Sequence, residues 1–524
     1  LLPSGCVTTS PLDYLRNGFK VGPNYRKPPA PVADEWIQAS DKDVQTRHLQ
    51  DWWLVFDDPT LNHLIETAYN QNLTLRVAGT RVLQARAQQA IAVGSIFPQT
   101  QQATGQYSHV NLSHNANNNP AAIASVAPLT IPPGVPFGNF YSDWNAGFNL
   151  SWELDFWGRF RRAIESANAS LDASVENFDD ALVILFAEVA TNYVQYRVAQ
   201  QRIKIARANV KIQEDILALV EQQFKVGINK VTKLDVEQAR TVLEQTRSNI
   251  PFLQIMQGQA NDILCILLGM PPHDLEPELG PGPDLDTAPL PNTPTWVAAG
   301  IPADLLRRRP DVRSAERRVA AQSAQIGIAE ADLYPSVFIN GIIGYEAFTP
   351  TKLFEPQSYY GTIAPSFRWN ILNYGRIANN VRLQQAKMQE LIASYQSTVL
   401  TAGREVQTPL RGFLRSREQA NDLGRSVNAA KAALAIGQDQ YRVGTIPFNT
   451  VFNLETTQVQ QQDNLAVAQG NIALNLINVY RALGGGWELR LQQAGHPGPA
   501  DVAMPAPAGP PPAQEKAPPA KEKS

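Results

Sequence analysis

Residues 144–160 read WNAGFNLSWELDFWGRF, and the fold turns on a change of period inside this stretch. Trp144, Ala146, Phe148, Leu150, Trp152, Leu154 and Phe156 fall on one face, and Asn145, Gly147, Asn149, Ser151, Glu153 and Asp155 on the other. A period of two is that of a strand, whose successive side chains point to opposite faces. At Gly158 the alternation stops. Residues 159–226 then hold no Gly and no Pro in 68 positions and are rich in Ala, Gln, Glu, Arg and Leu. This composition predicts a single helix on the order of 100 Å long at 1.5 Å per residue. A helix of that length exceeds a globular core and belongs to a coiled coil or another extended helical assembly.

The same punctuation recurs further along. Gly158-Arg159 follows Trp152, and Gly375-Arg376 follows Trp369, 217 residues on; the same offset carries Val226-Gly227 onto Val443-Gly444. Upstream, Arg76, Arg81, Val82, Ala87, Gln88, Ile91, Ala92 and Pro98 match Arg313, Arg318, Val319, Ala324, Gln325, Ile328, Ala329 and Pro335 at an offset of 237. One insertion in the polar, Pro- and Gly-containing stretch from about Asn111 to Asn139 accounts for the difference, so the chain reads as a tandem duplication. The second alternating strand sets Ile363, Pro365, Phe367, Trp369 and Ile371 against Thr362, Ala364, Ser366, Arg368 and Asn370. Further strands are expected at 99–110 and 336–346, and shorter helices at about 60–96 and 233–268. Gly403, Pro409, Gly412, Gly424 and Gly437 interrupt the second long helical segment, 376–443, and Pro409 should kink it.

Composition bounds the function. With 524 residues the chain has room for a sizeable core, and Lys+Arg 45 against Asp+Glu 48 gives a net charge of −3, without the basic field of a nucleic-acid binder. Two cysteines exclude a disulfide framework and a thiolate-built zinc site. His48, His63, His109, His114, His273 and His496 are scattered without metal-helix spacing, and no Gly-rich phosphate cradle is present. No cofactor and no enzymatic activity are expected. Proline-rich stretches divide the chain into an N-terminal segment 1–49, a first repeat 50–268, a linker 269–301, a second repeat 302–486 and a tail 487–524 expected to be disordered.

The longest apolar run, Ala181–Ala190, is too short to span a bilayer as a helix. Aromatic alternating strands of about ten residues are the pattern of a transmembrane barrel, and also that of a half-buried soluble sheet. The helices decide between them: a soluble four-stranded sheet has no partner for such rods, whereas a membrane barrel with helices projecting from it does. Four strands cannot close a pore, because barrels begin at about eight, so the chain must oligomerise. The expected class is an α+β membrane protein.

Several segments resemble one family. Val21-Gly22-Pro23-Asn24-Tyr25 with Pro28, Pro29 and Trp36, and Trp52-Trp53 with Phe56-Asp57-Asp58-Pro59 and Leu61, are similar to the N-terminal signatures of TolC-like outer-membrane factors of the NodT type. So are Leu305-Leu306-Arg307-Arg308-Arg309-Pro310-Asp311-Val312 with Ala315-Glu316 and Tyr334-Pro335, and the tip segments Phe224–Gly227 and Tyr441–Gly444. The resemblance covers about 21–486. It implies a homotrimer in which four strands per chain make a twelve-stranded outer-membrane barrel, continued by a long periplasmic α-helical barrel. It also implies a periplasmic adaptor and an inner-membrane pump, commonly of the resistance–nodulation–division class, with this chain as a passive exit duct for small toxic solutes. A protein-secretion conduit and, from another class, a periplasmic coiled-coil scaffold are the alternatives.

The resemblance assigns roles to particular residues. Leu2-Pro3-Ser4-Gly5-Cys6 resembles the end of a lipoprotein signal, which makes Cys6 a lipidation site, against an ordinary thiol. Gly227 and Gly444 mark the periplasmic tips. Thr450 and Asn453 stand at gate positions where the family often carries acidic residues; they line a constriction or pack between helices, and Glu455 is the nearest carboxylate. Tyr441 and Arg442 are candidate latch residues, with an exposed arginine as the alternative. Trp144, Phe148, Trp152, Phe156, Phe367 and Trp369 are read as lipid-facing, against packing in a soluble core. The run Arg307–Arg309 is either solvated or a partner contact, and Cys265 is core packing.

Overall fold

The computed structural model describes residues 10–33, 49–111, 140–227, 231–280, 290–294 and 308–492. Its principal elements, in order, are α1 (Pro59–Gln71), α2 (Leu73–Gly94), β1 (Thr100–Asn111), β2 (Phe140–Leu154), α3 (Arg159–Val226), α4 (Lys233–Leu267), α5 (Pro310–Ala331), β3 (Ser336–Ala347), β4 (Tyr359–Arg368), α6 (Arg376–Arg442) and α7 (Phe448–Ala482). The duplication is visible in the lengths: α2 and α5 have 22 residues each, α4 and α7 have 35 each, and α3 and α6 have 68 and 67. The left-handed glycines pair off as well. Gly158 and Gly375 open the long helices, Gly227 and Gly444 close them, and Gly269 and Gly484 follow α4 and α7, all with φ between 70 and 80°. Glycine adopts this conformation without the steric cost other residues meet.

Contacts gather the chain into two compact units that cut across the two repeats. One takes the segment up to Pro31 together with Gln84–Val175 and Val312–Val399; the other takes Val32–Leu83, Glu176–Asp311 and Leu400 onward.

The first unit carries the sheet, an antiparallel arrangement in the order β1-β2-β3-β4. Its β2 strand is shorter at the C-terminal end than the sequence alternation. Asp155 leaves the strand to cap α3, accepting from the Phe160 and Arg161 amides at 2.8 and 3.1 Å and from Arg161 Nε at 2.8 Å. An extended N-terminal strap also lies in this unit. Arg162 donates from Nε to the Val21 carbonyl at 3.0 Å and from Nη2 to that of Gly22 at 2.9 Å. Gly22 packs backbone to backbone on Gly327, where a Cβ would sit 2.4 Å from Gly327 Cα. Tyr25 donates to Glu316 at 3.0 Å, and Lys27 pairs with the same carboxylate at 2.9 Å. The Val21–Tyr25 signature is therefore a set of packing and hydrogen-bonding demands.

The second unit is centred on aromatic side chains. Trp52 stacks on Tyr480 with ring centroids 5.4 Å apart, and Trp53 meets Phe186 edge-on at 5.1 Å. Asp58 caps α1 through the Thr60 and Leu61 amides at 2.9 and 3.2 Å and accepts the buried Tyr193 hydroxyl at 2.7 Å. Pro59 stands in the first turn behind it, where no amide donor is needed.

Two expectations are corrected here. The segment expected as one helix at 60–96 is broken at Asn72, which has an extended backbone. Its side chain competes with the helical ladder: Oδ1 accepts from the Leu75 amide at 2.8 Å, capping α2, while Nδ2 donates to the Leu267 carbonyl at the end of α4 at 2.8 Å. In the second repeat the expected interruptions do not occur, since α6 runs unbroken through four glycines and Pro409. Helix packing overrides propensity there. Gly412 and Gly437 are contact points, where a Cβ would meet Asn475 at 2.4 Å and Leu454 at 2.6 Å.

Asn72→Ala removes a cap and leaves a carbonyl in the buried Asn72 pocket unpaired. It is expected to lower unfolding free energy by about 2 kcal/mol, read as a shift of the denaturant midpoint at constant slope. An unchanged midpoint would show that the two hydrogen bonds of the Asn72 side chain contribute nothing.

Candidate functional site

The sheet presents two chemically opposite faces, which register makes explicit. Phe148 pairs with Ile343 and Ala103, Leu150 with Gly341 and Gln101, Trp152 with Ile339, and Val337 with Phe367. This row is apolar and uncovered within the chain. Phe148 is 65% exposed, Phe367 74% and Ile363 80%. On the other face, polar side chains bridge strands. Asn145 donates to the Tyr360 hydroxyl at 2.7 Å, Ser151 to Asn340 at 2.8 Å, and Asn340 to Ser366 at 3.2 Å. The Arg368 guanidinium lies 4.9 Å over the Phe338 ring. Tyr360 also covers a bare spot: a Cβ on Gly344, the register partner of Gly147, would lie 3.3 Å from the tyrosine ring.

The aromatic residues singled out in the sequence divide accordingly. Trp144, Phe148 and Trp152 of β2 and Phe367 of β4 share the apolar face; Trp144 packs against Tyr107 at 4.5 Å. Phe156 and Trp369 lie just beyond their strands, both exposed. Trp152 and Trp369 each donate an indole N–H to a carbonyl before a strand, Ile96 and Leu333, at 3.0 Å in both cases. These are equivalent contacts in the two repeats. The polar bridges went unnoticed in the sequence because they depend on the register between strands, which for Asn145–Tyr360 and Ser151–Asn340 joins residues 215 and 189 positions apart.

At the other candidate site, α3 turns into α4 after Gly227, and α6 into α7 after Gly444. The Thr445 amide closes the second turn on the Gln440 carbonyl at 2.9 Å, with the Gly444 amide on Tyr441 at 3.0 Å. On the first, Thr232 and Asp235 form a reciprocal capping box that starts α4. Ile216, Val220, Val236, Ala239, Leu434, Tyr441, Phe448 and Val451 make one apolar cluster next to these turns.

This cluster sorts the expected gate residues. Thr450 and Asn453 are exposed on α7, on a different face from the buried Val451 and Glu455. They do not pack between helices of their own chain. Tyr441 is not a latch within the chain: its ring is buried edge-on to Phe448 at 5.7 Å, and its hydroxyl has no hydrogen-bond partner among the described residues. Burial, with Asp235 adding, pushes that hydroxyl up to about 12. Arg442 is exposed, 3.4 Å from Asp439 one turn earlier. Glu455 is 3% exposed, and burial raises its carboxyl from 4.5 to about 7, opposed only by the Gln213 amide of α3.

In the basic run, Arg309 is neither solvated nor exposed for a partner contact. Arg309 is 8% exposed and donates to the Ala482 carbonyl at 2.7 Å, to both oxygens of Asp311 at 3.0 and 2.8 Å, and to Glu405 at 2.7 Å. It is a structural clamp; Arg307 lies outside the described residues, as does Cys6. Cys265 is buried on α4, as expected of a packing residue. Among the described residues no group of three or more His, Cys, Asp or Glu is placed to hold a metal ion, and no helix is long and apolar enough to cross a membrane.

Comparison with known proteins bears on both sites. The sequence profile of the family described as "Outer membrane efflux protein" matches residues 64–269 and 301–485. Pyoverdine export outer membrane protein OpmQ of Pseudomonas putida is 30% identical over 458 residues, covering 86% of this chain and 92% of that protein. Nodulation protein T of Rhizobium leguminosarum bv. viciae is 28% identical, covering 91% and 92%. The solved structure of the outer-membrane channel OprN superposes with a TM-score of 0.79 at 32% identity, covering 89% of this chain and 99% of that one.

A pH test isolates Glu455. Because its folded value stands above 4.5, the folded chain holds a proton that the unfolded chain has already released between 4.5 and about 7. Its burial therefore costs nothing below this window, and the cost grows as pH rises from 4.5 to about 7, levelling off above it at on the order of 3 kcal/mol. Glu455→Gln is expected to unfold with the parent near about pH 5 and to be the more stable protein near about pH 8. Parallel stability curves for the two proteins would refute the assignment.

Proposed function

The chain belongs to the outer membrane efflux protein family, and from that premise we propose that three copies close their sheets into one twelve-stranded barrel. It is the outer-membrane channel component of a tripartite efflux system. The observation that carries the trimer reading is the sheet: an apolar, uncovered face opposite a polar, hydrogen-bonded one, with β1 and β4 as edges unpaired within the described chain. In hydrocarbon the free N–H and C=O groups of an edge have no water to bond, so only a closed barrel is viable. Four strands leave no closed form for one chain, and three copies supply twelve. The apolar row of Phe148, Ile343, Ile363 and Phe367 then meets lipid, and the Asn145–Tyr360 and Ser151–Asn340–Ser366 bridges line the lumen. Trp144, Trp152, Phe156 and Trp369 lie near the ends of the row, where amphipathic rings favour the bilayer interface.

The long helices extend the duct into the periplasm, towards an adaptor and an inner-membrane pump of the resistance–nodulation–division class. Energy comes from that pump, and this chain serves as a passive exit. OpmQ is named for pyoverdine export; the cargo here is of the small-solute class. Thr450 and Asn453, exposed near the α6–α7 turn, form a neutral polar constriction around the threefold axis, and Cys6 carries the lipid anchor.

Purified from outer membranes in detergent, the protein should have a protein mass near three times 57.6 kDa and conduct ions in planar bilayers. A monodisperse monomer without conductance would sink the duct. Asn453→Cys should give a disulfide-linked dimer band on non-reducing gels, and its absence under oxidant would place Asn453 away from the axis. Labelled palmitate should be incorporated into the parent and be lost in Cys6→Ser.

A further inference from the structure

Before the Val21–Tyr25 signature the chain makes a short helix, Pro11–Arg16, which lies where β2 gives way to α3. One side chain seats it there. Tyr14 packs its ring against Trp157 at 5.4 Å and Phe156 at 6.4 Å, and its hydroxyl donates to the Phe156 carbonyl at 2.7 Å. Trp157 in turn stacks on Tyr334 at 4.5 Å and donates its indole N–H to the Pro335 carbonyl, just before β3, at 2.9 Å. The Val21 amide then bonds the Trp157 carbonyl at 3.0 Å. Both ends of the segment are thus fastened to the foot of the sheet.

Its other side is apolar and bare. Leu12 and Leu15, three apart, share a helix face that Tyr14 does not, and they are 66% and 55% exposed. Phe19, edge-on to Tyr14 at 5.6 Å, is exposed as well. The backbone that presents it is costly: Gly18 and Phe19 have φ of 66 and 60°, a region that a bulky side chain seldom adopts. Arg161 holds that conformation, donating to the Gly18 and Phe19 carbonyls at 2.7 and 2.8 Å while Asp155 fixes its guanidinium. A strained turn that leaves a phenylalanine in the open implies a use for that ring outside the chain.

The place of the helix selects what covers it. Phe156, Trp157 and Pro335 stand at the ends of β2 and β3, the two inner strands, whereas a second copy paired edge to edge meets β1 and β4. Phe156 also continues the apolar period of Trp152 and Leu154, so the ring under Tyr14 prolongs the face proposed above to meet lipid. The second repeat is apolar at the matching level: Tyr374, which corresponds to Trp157 at the offset of 217, is exposed together with Ile371 and Leu372. Arg16, exposed in the last turn, brings a cation of the kind that phosphate headgroups attract.

We propose that Pro11–Phe19 is an interfacial membrane anchor, whose Leu12, Leu15 and Phe19 enter the periplasmic leaflet of the bilayer at the foot of the barrel without help from a lipid on Cys6. The inference rests on the barrel reading for where the bilayer lies: the helix sits at the end of the sheet from which the long helices leave. Apolar side chains beside aromatic rings and a cation are the make-up of a segment that lies in the headgroup region. Because Tyr14 and Arg161 fix the segment to the sheet, it sets how deep the barrel rides in the leaflet.

Spin labels test this in the full-length Cys6→Ser protein, whose remaining cysteine, Cys265, is buried. The protein is reconstituted into vesicles of phosphatidylethanolamine and phosphatidylglycerol. Labels are placed through Leu12→Cys and Leu15→Cys, with Phe148→Cys on the sheet and Arg26→Cys further along the strap as references. Labels at 12 and 15 should collide several-fold more with oxygen than with a water-soluble nickel chelate, at a depth of about 5–10 Å, and the label at 26 should show the reverse. Labels at 12 and 15 as open to nickel as that at 26 would overturn the anchor. Labels shielded from both reagents would overturn it too, because protein rather than lipid then covers the leucines. A label at 148 open to nickel would sink the barrel, and the same vesicles would still decide the anchor, which lipid at 12 and 15 upholds and water there ends.

Discussion

A sheet edge within a bilayer has to find a partner for every backbone amide it exposes. β1 and β4 leave two such edges. The sheet cannot be satisfied in lipid by a single chain, and other features follow from that demand. In the proposed barrel the apolar row would be covered by lipid and by another copy, and the polar bridges between strands would face a wet lumen. A helical protein answers the same demand inside each segment.

Much of this was legible in the residues. The strict alternation from Trp144 and the 68 positions without Gly or Pro set strand and helix apart, because a period of two and a missing helix breaker are local facts. The duplication was legible for the same reason: Gly158, Gly227, Gly375 and Gly444 all need a left-handed backbone, and that need is written into residue identity. What stayed hidden depends on neighbours. Asn72 looks like any helical asparagine until the Leu267 carbonyl arrives beside it. Gly412 reads as a breaker until Asn475 fills its missing side chain. Glu455 was seen as a carboxylate near a gate, and only packing reveals that it faces away from Thr450 and Asn453.

The two repeats share a frame and diverge in chemistry. Each ends its 35-residue helix on a glycine of positive φ and bonds the last helical carbonyl to the residue just before its 22-residue helix. In the first repeat that residue is a neutral amide, and in the second it is an arginine with two carboxylates. A duplicated fold thereby acquires one plain joint and one charged joint at equivalent places. The Arg307–Arg309 run, which in sequence resembles a surface feature, includes the residue that makes the difference.

The N-terminal strap has a consequence for the order in which the protein folds. Tyr25 finds its acceptor on Glu316, 291 residues later, and Gln396 reaches the Pro29 carbonyl across 367. Gly22 needs the bare backbone of Gly327 to lie down at all. Contacts of such separation close slowly, because the loop entropy is lost before the contact returns anything. A segment synthesised early can therefore lie against Arg162 of the first repeat, but its contacts are complete only once the second repeat has supplied Glu316, Gly327 and Gln396.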